Sequence, residues 1–193
     1  GSDGPDNSRR DTGTVYLVLG RSVMPDIIDT DRRSAEAHQD CTIQGEYNSD
    51  YLGYTGGLAM GDFDGDGIGD LLVSAALRDA GGRTNAGAVY MIWGNTTWPA
   101  DLDMRSGRAR GAFWGARAHD HLGRVTEAAD LDDDGYDDLI LGAYYGDGPL
   151  NARGDAGEVA VFFGRDRVDW APEYDMDESA GSPVEADMYI YGG

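Results

Sequence analysis

A repeat of about 70 residues is the feature that most constrains how this chain can fold. An aspartate-rich loop that begins at Asp62 recurs at Asp130, 68 residues later. An apolar, strand-like segment occurs three times, each time directly after a polar turn that ends in glycine, at residues 14–20, 88–94 and 158–164. Because each repeat is normally one supersecondary unit that stacks on its neighbours, the chain is expected to be an array of similar units.

Each complete repeat contains four short segments rich in β-branched and aromatic residues and separated by glycine-rich turns, which predicts four strands. The predicted strands are residues 54–60, 71–76, 88–93 and 109–114 in one unit, and 124–129, 138–143, 158–163 and 187–191 in the next. Only the third and fourth strands of a leading unit are present, at 14–20 and near 41–44.

Four-stranded units at this period are typical of β-propeller blades. The predicted fold is therefore all-β, with two complete four-stranded blades plus the outer half of a third. The expected boundaries are residues 1–46 for the half-blade and its connection, 47–114 for the first full blade and 115–193 for the second. The tryptophans in the connections after strand three, such as Trp98 and Trp170, are expected to pack against the blade.

Two nonapeptides, residues 62–70 and 130–138, share the pattern D-x-D-x-D-G-x-x-D. Oxygen atoms at positions 1, 3, 5, 7 and 9 can surround a hard cation at about 2.3 to 2.6 Å, and glycine at position 6 permits the sharp turn. Without a cation these carboxylates would repel one another. We therefore predict two Ca²⁺ sites, with side-chain ligands Asp62, Asp64, Asp66, Asp70, Asp130, Asp132, Asp134 and Asp138 and backbone carbonyl ligands Ile68 and Tyr136.

Two other interpretations of these loops are weaker. An EF-hand would need glutamate at position 12 and flanking helices, but that position holds Val73 and Leu141, inside short strand-like runs. Ordinary acidic turns would also use Asp and Gly, but they would not explain why the pattern recurs at the repeat spacing.

The composition excludes some classes of partner. The 193 residues carry a net charge of −21, and all 15 cationic residues are arginine, so the clustered cations that nucleic-acid binding requires are missing. The single cysteine, Cys41, rules out an intramolecular disulfide and is expected to be buried in a strand. No transmembrane run or signal peptide is evident, which predicts a soluble, mature or trimmed segment.

Three short motifs have alternative interpretations. Arg153-Gly154-Asp155 spells an adhesion tripeptide, but the repeat aligns Asp155 with other turn residues. His119-Asp120-His121 could suggest a zinc site, although a solvated loop is favoured. Asn95-Thr96-Thr97 is a glycosylation sequon after a strand. No nucleophile elbow, phosphate loop or Cys/His cluster is present, which favours a protein without catalytic activity.

The chain resembles the FG-GAP repeats of integrin α subunits and of many bacterial and archaeal secreted proteins. Leu52-Gly53 and Leu122-Gly123 stand where that family has Phe-Gly, Ser74-Ala75-Ala76 and Gly142-Ala143-Tyr144 stand where it has Gly-Ala-Pro, and both aspartate loops match its calcium motif. The resemblance implies a propeller of typically seven blades. It also implies that partners bind on the face opposite the calcium loops, formed here by residues 46–52, 77–86, 116–122 and 144–156.

The expected function is that of a noncatalytic, calcium-stabilised extracellular β-propeller segment, serving cell adhesion, recognition or assembly. Its partners would be a protein or glycan ligand, or further copies or segments that complete the propeller, because two and a half blades cannot close a seven-bladed ring. The alternatives are the propeller part of a secreted hydrolase or lyase acting on polysaccharide or phospholipid, and a self-assembling filament or surface-layer subunit.

Overall fold

The computed structural model describes residues 10–30, 38–54, 57–106, 111–148, 152–177 and 186–193. These residues form three sheets and two short 3₁₀ turns, Met104–Ser106 and Arg167–Asp169. The strands, in chain order, are β1 Thr14–Leu17, β2 Cys41–Gln44, β3 Leu58–Gly61, β4 Asp70–Ala75, β5 Ala88–Ile92, β6 Asp101–Asp103, β7 Gly111–Trp114, β8 Leu122–Ala129, β9 Asp138–Ala143, β10 Glu158–Phe162, β11 Glu173–Asp175 and β12 Met188–Tyr191.

The predicted propeller blades are confirmed. Strands β3, β4, β5 and β7 form the antiparallel ladder of the first full blade, and β8, β9, β10 and β12 form that of the second. The leading half-blade consists of the antiparallel pair β1 and β2. We call these the middle blade, the third blade and the leading half-blade. The first strand of the middle blade begins at Leu58, later than the predicted residue 54.

The structure adds an outer strand that the sequence prediction lacked. After strand three, the chain crosses to the preceding blade and pairs in parallel with its fourth strand, so β6 extends the leading half-blade and β11 extends the middle blade to five strands. The central residues of these strands, Leu102 and Tyr174, are buried between acidic neighbours, as the two-residue period of a strand requires. The connection therefore ties each blade to the one before it.

The core lies between the sheets in two apolar clusters. The first packs Val15 and Ile43 of the leading half-blade against Val73 and Tyr90 of the middle blade. The second contains Val89 and Phe113 of the middle blade together with Leu139, Phe162 and Trp170 of the third blade. Neighbouring blades thus stabilise one another mainly by burying apolar surface.

The remaining predictions about single residues agree with this packing. Cys41 is fully buried in β2, Trp170 lies in the second cluster, and Trp98 packs against the first. Phe113 stacks on Tyr174 with ring centroids 4.7 Å apart. Within the part of the chain that the structure describes, no helix is long and apolar enough to cross a membrane.

Candidate metal centres

Both aspartate loops lie at the same place in their blades, as the turn between the first and second strands. The first loop runs from β3 into β4, and the second from β8 into β9. In each loop, three carboxylates place one oxygen each within 4.8 Å of the others: Asp62, Asp64 and Asp70 in the first loop, and Asp130, Asp132 and Asp138 in the second. Oxygens that share a Ca²⁺ ion at about 2.3 to 2.6 Å cannot be more than about 5 Å apart. The donor set and its spacing therefore fit calcium.

The position-nine aspartates, Asp70 and Asp138, also hold the loops to the rest of the blade. The N–H of Phe63 donates to Oδ2 of Asp70 at 3.0 Å, and the N–H of Gly94, beyond strand three, donates to Oδ1 at 2.7 Å. Asp138 makes the same two bonds with the N–H groups of Leu131 and Gly164, both at 2.8 Å. Both aspartates are buried, so each carboxylate satisfies two backbone donors besides facing the cluster.

The other loop aspartates accept hydrogen bonds from their own loop. The carboxylate of Asp62 accepts the N–H groups of Asp66 and Gly67 at 3.0 and 2.9 Å, and Asp66 accepts the N–H of Ile68 at 2.8 Å. The second loop repeats this pattern with Asp130 and Asp134. These bonds shape the turn, while ligation by Asp66, Asp134 and the carbonyls of Ile68 and Tyr136 stays a prediction.

Burial and neighbouring carboxylates both disfavour the charged form of two aspartates in the first loop. Burial raises the pKa of Asp70 to about 6, and the charges of nearby Asp64 and Asp66 also raise it. The hydrogen bonds from the N–H groups of Gly94 and Phe63 act in the opposite direction and lower it. Burial, followed by the charge of Asp66, also raises the pKa of Asp64. Arg167 lies 3.6 Å from the Asp64 carboxylate. A divalent cation would stabilise the charged form of these carboxylates.

One contributor to the first site, Asp137, does not belong to its loop. The N–H of Asp62 donates to Oδ2 of Asp137 at 2.8 Å, and the N–H of Asp137 donates to the carbonyl of Asp62 at 3.0 Å. Asp137 lies in the second loop, so this reciprocal pair joins the two loops across the blade boundary. The sequence pattern did not reveal it, because the corresponding position in the first loop is Gly69.

At the opposite end of the blades lie the four loops predicted to bind partners. Residues 46–52 and 116–122 each contain a buried aspartate, Asp50 or Asp120, that accepts the N–H of the residue three positions earlier. Burial raises the pKa of each to about 6, although Arg78 lowers that of Asp50 and the Arg117 N–H lowers that of Asp120. These loops are therefore held from within.

This opposite face also exposes aromatic side chains. Tyr47, Tyr54, Tyr144 and Tyr145 all lie at this end of the blades and are exposed. Tyr144 and Tyr145 form an edge-to-face pair with ring centroids 4.6 Å apart, and His121 packs against Tyr145 at 5.5 Å. Exposed tyrosines offer apolar contact area together with a hydroxyl group, a combination common at recognition surfaces.

The three short motifs lie in turns. The Arg153 guanidinium donates to the carbonyl of Gly192 at 2.8 Å, and the N–H of Asp155 donates to Asp147 at 3.0 Å, so the tripeptide has structural contacts. Asn95 accepts the N–H of Thr97 in an exposed turn. In the described ranges, the two aspartate loops are the only groups of three or more side chains that could hold a metal ion, and the His119 motif is not among them.

Comparison with known proteins supports the repeat assignment. The family model described as FG-GAP repeat matches residues 54–91 and 122–162. Phosphatidylinositol-glycan-specific phospholipase D of Rattus norvegicus is 36% identical over 110 residues, covering 55% of this chain and 13% of the relative.

Two integrin chains are also similar. Integrin alpha-PS2 of Drosophila melanogaster is 32% identical over 131 residues, covering 63% of this chain and 8% of the relative. Integrin alpha-IIb of Homo sapiens is 33% identical over 132 residues, covering 64% and 11%. The chain thus spans only about a tenth of the length of these relatives.

Proposed function

Because the chain carries FG-GAP repeats, we propose that it is a noncatalytic segment of an extracellular β-propeller, stabilised by two calcium ions and used for recognition or assembly. The observation that carries this proposal is the duplicated cluster of three aspartates, at the same turn of two successive blades. The donors are oxygen atoms only, as calcium prefers. Integrin alpha chains among the relatives support a role in recognition at the cell surface.

Calcium would act as a structural ion. When bound, it supplies positive charge that offsets the clustered carboxylates and links the two ends of each loop. The protein itself holds Asp70 and Asp138 through buried hydrogen bonds from the N–H groups of Gly94 and Gly164, just beyond strand three of each blade. A bound ion therefore restrains the turn and the strands on either side of it.

The experiment that tests the calcium role measures metal content and thermal unfolding together. The chain is purified with Ca²⁺, its calcium is counted by mass spectrometry, and unfolding is followed by circular dichroism with and without chelator. We expect two ions per chain, one in Asp66→Ala or Asp134→Ala, and none in the double variant. Asp26→Ala, which removes an exposed aspartate outside both loops, is the control and should keep both ions. An unchanged melting temperature after chelation would contradict the proposal.

Recognition is assigned to the face opposite the calcium loops, where the exposed tyrosines lie. An array of extracellular matrix proteins and glycans, probed with labelled chain, tests this assignment. We expect Tyr144→Ser with Tyr145→Ser to lose binding to any array component that the parent chain binds. Val168→Ser changes an exposed residue next to Arg167, which lies 3.6 Å from the Asp64 carboxylate, and should retain binding. Equal binding by both variants would count against this face.

A second candidate function rests on the similarity to phosphatidylinositol-glycan-specific phospholipase D. In this alternative, the chain is the propeller part of a secreted hydrolase. Incubation of the chain with a phosphatidylinositol glycan, followed by chromatography of the released phosphatidic acid, tests it directly. Release that persists in the Asp66→Ala, Asp134→Ala double variant would favour an enzyme over a binding module.

A further inference from the structure

One sequence motif, the sequon Asn95-Thr96-Thr97, has no part in the calcium centres or in the face assigned to recognition. It is the only Asn-x-Ser/Thr triplet among the five asparagines of the sequence. All three residues are exposed, and they lie between β5, which ends at Ile92, and β6, which begins at Asp101. Acceptor sites for N-linked glycans have this sequence and lie in surface loops of secreted proteins.

The side-chain amide of Asn95 is held by a hydrogen bond that leaves its nitrogen free. The N–H of Thr97 donates to Oδ1 of Asn95 at 3.0 Å. Within the described residues, this is the only hydrogen bond that residues 95–97 form. Nδ2, the atom to which a glycan is attached, therefore faces solvent without a protein partner. Drawing the loop outward into a transferase would break no hydrogen bond of the sheet.

The repeat does not account for an asparagine at this position. In the other two copies, the residue after the strand-three glycine is an arginine that pairs with the aspartate before strand four: Arg21 with Asp40 at 2.6 Å, and Arg165 with Asp187. In the middle blade that aspartate is replaced by Arg110, which lies outside the described residues. Because asparagine carries no charge, the structural ion pair that the repeat gives this position is missing at Asn95.

The sequon lies at the calcium end of the middle blade. The residue before it, Gly94, donates its N–H to Oδ1 of the buried Asp70 at 2.7 Å, so the backbone next to the sequon is fixed to the first loop. Strand β5 runs from the recognition end at Ala88 to this end at Ile92. A bulky, hydrophilic glycan attached here would cover surface at the calcium end and leave the exposed tyrosines of the opposite face open.

We propose that Asn95 carries an N-linked glycan, which projects from the calcium end of the blades. The donor is an oligosaccharide linked to a lipid phosphate, and a transferase catalyses the step. Nδ2 forms a bond to the anomeric carbon of the first sugar while the bond from that carbon to the phosphate oxygen breaks. The phosphate keeps the electron pair, and Nδ2 gives one proton to solvent. The inference rests on the extracellular location proposed above, because exported chains are the ones that meet this donor.

Peptide mapping of the protein isolated from its native source tests the assignment. Electron-transfer fragmentation, which keeps glycans attached, locates any added sugar mass on individual residues. We expect a glycan on Asn95 and none on Asn48, which is the matched control. Asn48 is also exposed, and its Oδ1 also accepts a backbone N–H, from Arg10 at 3.1 Å, but Asp50 stands two positions later instead of Ser or Thr.

Four single variants expressed in the same cells separate the sequon from the surrounding loop. Asn95→Gln and Thr97→Ala should lose the glycan completely, because they remove the acceptor asparagine and the hydroxyl that the transferase requires. Thr97→Ser restores a hydroxyl, and Thr96→Ala removes the neighbouring exposed hydroxyl but keeps the triplet, so both should retain the glycan. All four changes are at exposed positions and should leave the circular dichroism spectrum unchanged.

Three results would overturn the proposal: an unmodified Asn95 in the native protein, a glycan that persists in Thr97→Ala, or equal modification of Asn48 and Asn95. Calcium is counted in the same samples. Two bound ions on a chain without a glycan would refute this inference and leave the calcium role standing, whereas a glycan on a chain without calcium would refute the calcium role alone.

Discussion

The contact between Gly123 and the middle blade gives a sharp test of how the blades are held together. Gly123 has φ +87°, and a Cβ atom added there would stand 2.7 Å from the Ser74 Cβ and 2.8 Å from Val89 Cγ2. Gly82 has nearly the same φ, +82°, but an added Cβ would meet nothing within 4 Å. Alanine at either position therefore has the same unfavourable backbone conformation, and only alanine at 123 also crowds the neighbouring blade.

The magnitudes follow from these two contributions. Placing alanine in the left-handed region costs about 1 to 2 kcal/mol, which is the whole effect expected for Gly82→Ala. Overpacking a core typically adds about 1 to 3 kcal/mol, so Gly123→Ala should lower the free energy of unfolding by about 2 to 5 kcal/mol. Ser74→Gly removes the nearest obstructing atom, so the Gly123→Ala, Ser74→Gly double variant should lose less than the two single changes added together.

Urea denaturation followed by tryptophan fluorescence measures these differences, because Trp93 and Trp170 lie in the core cluster between the two blades. All variants are compared in the same Ca²⁺ concentration. Equal losses for Gly123→Ala and Gly82→Ala would refute the argument, since the contact between the blades would then contribute nothing beyond backbone strain. If the losses of free energy of unfolding for Gly123→Ala and Ser74→Gly simply added in the double variant, the Ser74 side chain would not be the group that crowds alanine at position 123.

Three further outcomes are expected. Leu102→Ala should lower the free energy of unfolding, measured by urea denaturation, by about 3 kcal/mol, because Leu102 is buried in the added outer strand. Ile27→Ala should leave it nearly unchanged because Ile27 is exposed; equal losses would contradict the role of the outer strand. Asp137→Ala should weaken calcium binding by the first loop about fivefold, because it removes a hydrogen bond of about 1 kcal/mol from the Asp62 N–H. Calorimetry measures this in an Asp134→Ala background, in which only the first loop is expected to bind calcium; unchanged affinity would contradict the link between the loops. Burial raises the pKa of Asp120 from 3.8 to about 6, so the folded state gains stability as the pH falls through that window. The free energy of unfolding of Asp120→Asn should therefore exceed that of the parent by about 3 kcal/mol at pH 7 but not at pH 4; a difference that does not change with pH would contradict the shift.

The sequence predicted those parts of the fold that depend on local pattern and on repetition. Strands β4 and β9 follow the aspartate loops directly, and β5 and β10 follow a glycine-ended turn, so each was visible twice. The loop aspartates were visible for the same reason, because calcium ligation requires oxygen donors at fixed spacing. Repetition thus made short, individually weak signals decisive.

The features that were missed depend on contacts between blades. Strand β6 has only three residues, and its partner β2 belongs to the preceding blade, so no local turn signals the pairing. Asp137 supports the first calcium loop from the second, and the repeat gives no hint of it because Gly69 stands in the equivalent place. Such non-local contacts follow from the geometry of stacking rather than from periodicity.

The calcium loops and the Leu-Gly contacts connect neighbouring blades at opposite ends. At one end, Asp137 of the third blade fixes the backbone of Asp62 in the middle blade; at the other, Leu122 donates to the carbonyl of Ala86. An ion that rigidifies the first loop therefore also restrains the blade that follows. Calcium binding in the first loop and packing of the third blade against the middle blade should consequently reinforce each other, because the Asp137 contact contributes to both.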